Sequence, residues 1–302
     1  MRKASRFASI FATCVFACAP DLGDRDSLVT GPRVLAVRAE PPEAAPGDDV
    51  TYTALVVAPD GTRASAPVAW SFCVAPKTLT ENEIVSAACL GDDAIRAAGD
   101  PGSPTHATIP SDACALFGPD PPPGGYRARD PDVTGGYYQP LRALLEGTHP
   151  SFILERLACH LANAPADIAT DYGLRYRRNA NPHLSPLVTT IGGVPAAGDH
   201  VPTGARVTLS VGWNDADAES YVTFDLASQS LIDRREAMRV SWFATAGDFG
   251  VDRTGRAEDD RATTTENTWT APSSTGKVHL WIVVRDSRGG IDFAPYDVDV
   301  VP

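Results

Sequence analysis

Six histidines, six cysteines and 38 acidic residues are the groups in this 302-residue chain able to carry chemistry at neutral pH. The histidines (106, 149, 160, 183, 200 and 279) are scattered, with no Gly-x-Ser-x-Gly and no His-Glu-x-x-His among them, so neither a nucleophile elbow nor a zinc-protease helix is encoded. No nucleophile–base spacing is present, and the chain reads as a non-enzyme. Carboxylates give a more specific pattern. Asp215, Asp217 and Glu219 alternate in NDADAES directly after a strand-like run, and Asp286 closes a later one. Calcium takes six to eight oxygens, several from carboxylates. These four residues are therefore the candidate calcium ligands, against the plainer reading of a solvated acidic turn. Cys73, Cys89, Cys114 and Cys159 form an even set without a Cys-x-x-Cys pair. They read as two disulfides rather than zinc ligands, with all three pairings open. Tyr126, Tyr137 and Tyr138 flank glycines, and aromatic faces suit a sugar or a protein hot spot.

The elements that must position these groups are strands. Residues 33–39 (RVLAVRA), 49–57 (DVTYTALVV) and 67–74 (PVAWSFCV) alternate with the two-residue period and are rich in Val, Thr and aromatics. A proline break and the turn APDG separate them; Pro fixes φ and Asp-Gly suits positive φ. Residues 187–191, 205–213, 239–245, 267–272, 276–286 and 291–300 repeat the pattern in the second half. PGDDVTYTALVVAPDG parallels PTGARVTLSVGWNDAD, and AWSF parallels SWFA, at an offset of about 157 residues, far above the 20–50 of solenoids. This is a duplicated domain. The strand order, the Trp of the third strand and the run WIVVRDSRGG resemble bacterial immunoglobulin-like modules, including the PKD-like kind. The resemblance implies an all-β chain of two Ig-like β-sandwiches in tandem, with Trp70, Trp242 and Trp281 in the cores.

The expected division is a first sandwich over 32–180 and a second over 185–302. Residues 75–135 read as a long loop insertion pinned by the disulfides, since loops of that length need such support. Residues 136–145 and 151–162 read as returning strands, with helix as the rival, and 163–178 as one short helix. NANPHLSP (179–186) reads as the domain boundary.

Residues 1–17 carry Arg2, Lys3 and Arg6 ahead of an apolar run too short for a membrane span of about 20 residues, the pattern of a signal peptide. VFAC, ending at Cys18, resembles the lipobox of bacterial lipoproteins. The resemblance implies acylation of Cys18, and Ala19 after it implies the outer membrane; plain cleavage after Ala19 is the rival. Residues 18–31 then read as a lipidated tether. The net charge of −12 disfavours nucleic acid. These expectations converge on an envelope lipoprotein, periplasmic or facing outward. It would be held to the membrane by its anchor and act without catalysis in adhesion, scaffolding or recognition of another envelope protein or a polysaccharide. A carbohydrate-binding module and an envelope hydrolase with a dispersed site are the alternatives.

Overall fold

The computed structural model describes residues 25–63, 65–78, 80–119, 134–196 and 199–302. The signal peptide, Cys18 and Tyr126 lie outside them. The first half forms β1 (Arg33–Glu40), β2 (Glu43–Ala44), β3 (Asp49–Ala58), β4 (Gly61–Thr62), β5 (Val68–Cys73), β6 (Ile95–Ala97), β7 (Thr105–Thr108), β8 (Tyr137–Leu145) and β9 (Ser151–Leu157). One sheet orders β1–β3–β4 with β7 also on β3; the facing sheet orders β2–β9–β8–β5–β6. The second half adds β10 (Val188–Ile191), β11 (Val194–Pro195), β12 (His200–Pro202), β13 (Arg206–Gly212), β14 (Ser220–Asp225), β15 (Ser230–Arg235), β16 (Met238–Ala244), β17 (Asp248–Phe249), β18 (Arg253–Arg256), β19 (Thr264–Thr270), β20 (Gly276–Asp286) and β21 (Ile291–Val301). Here the sheets order β11–β10–β13–β19–β17 and β12–β21–β20–β16–β18. In Ig lettering these are A-B-E-D against G-F-C, with a short strand pairing in parallel with the last strand in each half. The chain is all-β, two Ig-like sandwiches in tandem.

Alternation explains each core. Val50, Tyr52, Ala54 and Val56 of β3 meet Trp70 and Phe72 of β5 and Leu141 of β8 in one. Val207, Leu209 and Val211 of β13 meet Trp242 of β16, Trp269 of β19 and Val278, Leu280 and Ile282 of β20 in the other. Trp70 and Trp242 are core, as their strand position implied. Trp281 is not in a sandwich core. It lies on the opposite face of β20 from Leu280 and Ile282, in a third cluster with Val29, Ala36, Leu55, Val57, Val283 and Ile291. That cluster joins the outer face of the β1–β3 sheet to the outer face of the β16–β20–β21 sheet. The four sheets therefore stack face to face, with three apolar layers between them.

Two further expectations are corrected. The stretch 75–135 is not simply a loop: it supplies β6, β7 and a one-turn helix, α1 (Ala113–Phe117), and buries Ala98, Ile109, Ala113 and Phe117. Its strands are only three and four residues long, too short for alternation to register. Residues 25–29, expected in the tether, dock on the second sandwich. Val29 N–H donates to the Ala244 carbonyl (2.8 Å) and Ala244 N–H to that of Ser27 (2.9 Å), which buries Ser27 and Val29. The stretch NANPHLSP, read as the domain boundary, contains buried Asn179 and Asn181 and is packed. The helix expected over 163–178 is α2 (Ala166–Arg175). It leans on the β14–β15 hairpin, an element between the second and third strands of the second sandwich that sequence reasoning did not find.

Candidate functional site

A displayed loop and a buried joint between the sandwiches are the features of this molecule suited to recognition. The loop comprises residues 80–90, with Thr78 at its start. Glu81 ties it from within: Oε2 accepts from Thr78 N–H (2.8 Å), and Oε1 accepts from Ala87 N–H (2.8 Å) and Ser86 Oγ (3.1 Å). Those bonds, from backbone first, hold the Glu81 carboxyl below the usual glutamate range. Cys89, fully buried, bonds to Cys73 at the end of β5, so the loop closes onto a core strand. With both ends fixed, Ile84 and Leu90 project outward at 75% and 51% exposure. Large apolar side chains held in water on an ordered loop are ready-made contact groups for a partner. The second disulfide joins Cys114 of α1 to Cys159 after β9. The two pairs resolve the connectivity that the sequence left open.

Elsewhere, the two sandwiches are joined by a buried polar and ionic cluster. Arg288, in the turn between β20 and β21, has no solvent exposure. It donates to Glu236 Oε1 (2.6 Å), Glu219 Oε2 (2.8 Å) and the Arg177 carbonyl (2.7 Å). Its guanidinium lies 4.7 Å from the centre of the Tyr221 ring and 5.9 Å from that of Tyr176. Tyr176 in turn donates to Glu43, a buried carboxylate from the first sandwich, which also accepts from Asn179 N–H (2.9 Å) and pairs with Arg156 (3.4 Å). Asn181 carries the joint further. Its amide donates to the Ala39 carbonyl (2.6 Å) and its carbonyl accepts from Ile291 N–H (2.8 Å). Buried charges persist only when paired and hydrogen-bonded, and Arg288 draws its partners from both halves of the chain.

The expected calcium ligands are drawn into this joint and its border and do not converge on a common point. Asp286 Oδ1 accepts three backbone N–H groups, those of Arg288 (2.8 Å), Gly289 (2.7 Å) and Gly290 (2.9 Å). Burial pushes its carboxyl up, opposed by those bonds. Glu219 binds Arg288 and Ala180 N–H. Asp217 caps Asn214 N–H (2.9 Å) and meets His183 (3.0 Å), while Asp215 pairs with Arg235 (3.0 Å). Among the described residues no group of three or more His, Cys, Asp and Glu side chains is disposed to hold a metal ion. The four carboxylates take other donors: Asp286 the backbone of the turn that follows it, Asp217 the Asn214 N–H and His183, Glu219 Arg288 and Asp215 Arg235.

Tyr137 and Tyr138 do not form an open aromatic platform: Tyr138 hydroxyl accepts from Arg156 (2.9 Å), whose guanidinium lies 5.7 Å from the ring centre. A His–Asp pair, His279–Asp297 (2.7 Å), borders a cleft of about 380 Å³ between the sandwiches, lined also by Asp60, Thr62, Trp281 and Tyr296. The hydroxyl of Thr62 in that cleft is taken by Trp281 Nε1 (2.9 Å). The His279 ring packs against Gly61, whose φ of +124° favours glycine. The cleft is thus a seam between domains.

No family model and no curated protein matches the chain. Among solved structures it is similar to the D00–D0 domain of intimin, at 8% identity over 90% of this chain and 99% of that one, with a TM-score of 0.26. It is similar to the Yersinia pseudotuberculosis adhesin InvE, at 10% identity over 88% and 58%, TM-score 0.25. It is also similar to the fibronectin(III)-like modules of Clostridium thermocellum CbhA, at 10% identity over 88% and 93%, TM-score 0.21. At these TM-scores the assignment of the fold rests on strand order and pairing alone.

Proposed function

We propose that the chain is an exported, lipid-anchored envelope protein, acylated at Cys18 and sorted to the outer membrane, which acts without catalysis in adhesion, scaffolding or recognition through two PKD-like modules. The leader and the VFAC sequence support export and anchoring. Two disulfides suit an oxidising compartment. The observation that carries the recognition reading is the ordered loop 80–90 with Ile84 and Leu90 outward on a locked two-sandwich body. A rigid mount lowers the entropy lost on binding, which is what a recognition surface gains from such a joint. The partner is an envelope or surface protein, since apolar contact groups suit a protein interface better than a polysaccharide.

Two measurements test this. Intact-mass spectrometry of membrane-extracted protein should show an acylated chain beginning at Cys18, and a gain of about 4 Da on reduction. Photo-crosslinkers at Ile84 and Leu90 in intact cells should give one discrete protein adduct, lost when Cys73 and Cys89 are replaced by alanine. A mass corresponding to an unacylated chain refutes the anchor. Adducts that are diffuse, or indifferent to the disulfide, refute the loop.

A further inference from the structure

The net charge of the chain is −12, yet one face of the second sandwich carries arginines without carboxylate partners. β16, β18 and β20 are neighbours, with Arg239 opposite Arg285 and Ser241 opposite both Arg253 and Val283. Paired residues share a sheet face, so Arg239, Arg253 and Arg285 point the same way from adjoining positions. Like charges directly opposite destabilise a sheet. Among the described residues none of the three makes an ion pair: Arg285 donates only to Ser241 Oγ (3.4 Å) and the Leu35 carbonyl (3.1 Å). Burial and the charge of Arg253 bring the Arg285 guanidinium down to about 10, the direction that unrelieved positive charge gives. Arg33 extends the patch, 5.7 Å from the centre of the Phe243 ring on the same face. The acids at its border are Asp26, beside Arg33, and Asp252, which accepts from Ser27 (2.7 Å). Arg239 and Arg253 are exposed.

Residues 25–29 run along this same edge. Arg25 donates to the Phe249 carbonyl (2.8 Å), Ser27 binds Asp252, and Leu28 bridges to Ala244. Cys18 precedes Arg25 by seven residues, which reach at most about 25 Å when extended. An acyl group at Cys18 therefore confines this edge to the neighbourhood of the bilayer.

We infer that Arg239 and Arg253, with Arg285 adding positive charge beside them, bind the phosphate of anionic lipid head groups, setting this edge of the second sandwich against the membrane to which Cys18 is anchored. The inference rests on the lipid-anchored reading for proximity and on the unpaired arginines for chemistry. Arginine suits the ligand because its planar fork matches phosphate oxygens. The surrounding acidic surface would be repelled by the same head groups, so the patch also selects an orientation.

Reconstitution of the mature protein into vesicles of phosphatidylcholine, with or without phosphatidylglycerol, followed by phenylglyoxal labelling and peptide mass spectrometry, tests it. Arg239 and Arg253 should be protected several-fold only when phosphatidylglycerol is present, while exposed Arg206 on β13 labels equally in both. Equal labelling of Arg239 and Arg253 in the two vesicle types overturns the proposal. In a second arm, the full chain bearing Cys18→Ser is sedimented with phosphatidylglycerol vesicles. Arg239→Gln with Arg253→Gln, both exposed and free of structural bonds, should weaken binding roughly tenfold or more; unchanged binding overturns it. Protection by millimolar inorganic phosphate but not by vesicles would assign the face to a free anion and overturn the lipid source. An unacylated mature chain that still shows arginine-dependent vesicle binding refutes the anchor alone; acylation without arginine protection refutes this face alone.

Discussion

Arg288 and Glu236 are both fully buried and 2.6 Å apart, and this pair sets the chemistry of the joint. Above about pH 8, where Glu236 is ionised, removing one member of this buried pair leaves the other uncompensated, at a cost of about 3–5 kcal/mol. Arg288→Met should lower the unfolding free energy by about that amount in urea titration at that pH, and adding Glu236→Gln should restore part of it. The same site makes stability depend on pH. Burial, then Asp286, push the Glu236 carboxyl up to about 8 despite Arg288. Burial, then Glu43, push Glu155 well above the glutamate range. Between 4.5 and about 8 the folded chain keeps a proton on Glu236 that the unfolded chain releases, so stability declines as pH rises through that window, by up to about 1.4 kcal/mol per pH unit for each such group. Asp60, Asp112 and Asp297 are held down by Arg63, Arg96 and His279, so their stabilisation is lost as pH falls below about 4. Thermal melts should therefore peak in mildly acidic buffer and fall toward pH 8, and Glu236→Gln should flatten the fall. A melting temperature that climbs steadily from pH 5 to 8 would contradict this assignment.

At the scale of elements, what alternation encodes was legible and what distant neighbours decide was not. VTYTALVV and VTLSVGW mark β3 and β13 by period alone, and a Trp on the third strand of each half announces its core position. The β14–β15 hairpin escaped notice because its turn at 226–229 (LASQ) has neither Gly nor Pro, and because Tyr221 is buried by Arg288 rather than by a sandwich. Arg288 itself sits in SRGG, which read as a turn; nothing local says that Glu43, Glu219 and Glu236 will meet it. One available signal was passed over. ALVVA in β3 and LWIVV in β20 are continuous apolar runs, the mark of strands covered on both faces, and both lie where the domains meet. The disulfides add an element-scale expectation. Cys114–Cys159 spans 45 residues and Cys73–Cys89 spans 16. Loop closure gives the longer bridge about 4 kcal/mol and the shorter about 3. Paired alanine replacements should rank in that order by denaturant midpoint. Only the Cys73–Cys89 pair should also raise protease cleavage within residues 80–90.

Over the whole molecule, the third apolar layer decides the shape. Trp281, Val283 and Ile291 face Ala36, Leu55 and Val57 across the seam, and a face-to-face stack of this kind is compact. A compact body of this length has a radius of gyration of about 19 Å, whereas two such sandwiches strung end to end would give roughly 24 Å. Small-angle scattering of the folded protein should return the lower value. Leu55 and Val57 are buried but lie on the outer face of β3, away from the first core. Leu55→Asp with Val57→Asp should therefore disrupt the seam while leaving each sandwich intact, since a buried unpaired carboxylate is costly only where water is excluded. The expected result is a radius that rises toward the extended value, with Trp281 fluorescence shifted to the red and the far-ultraviolet spectrum unchanged. If the double variant keeps the compact radius, the apolar layer is not what joins the domains and the ionic joint at Arg288 alone must hold them. If the strand signal is lost as well, the first sandwich depends on the second for its own stability, and the two are one cooperative unit.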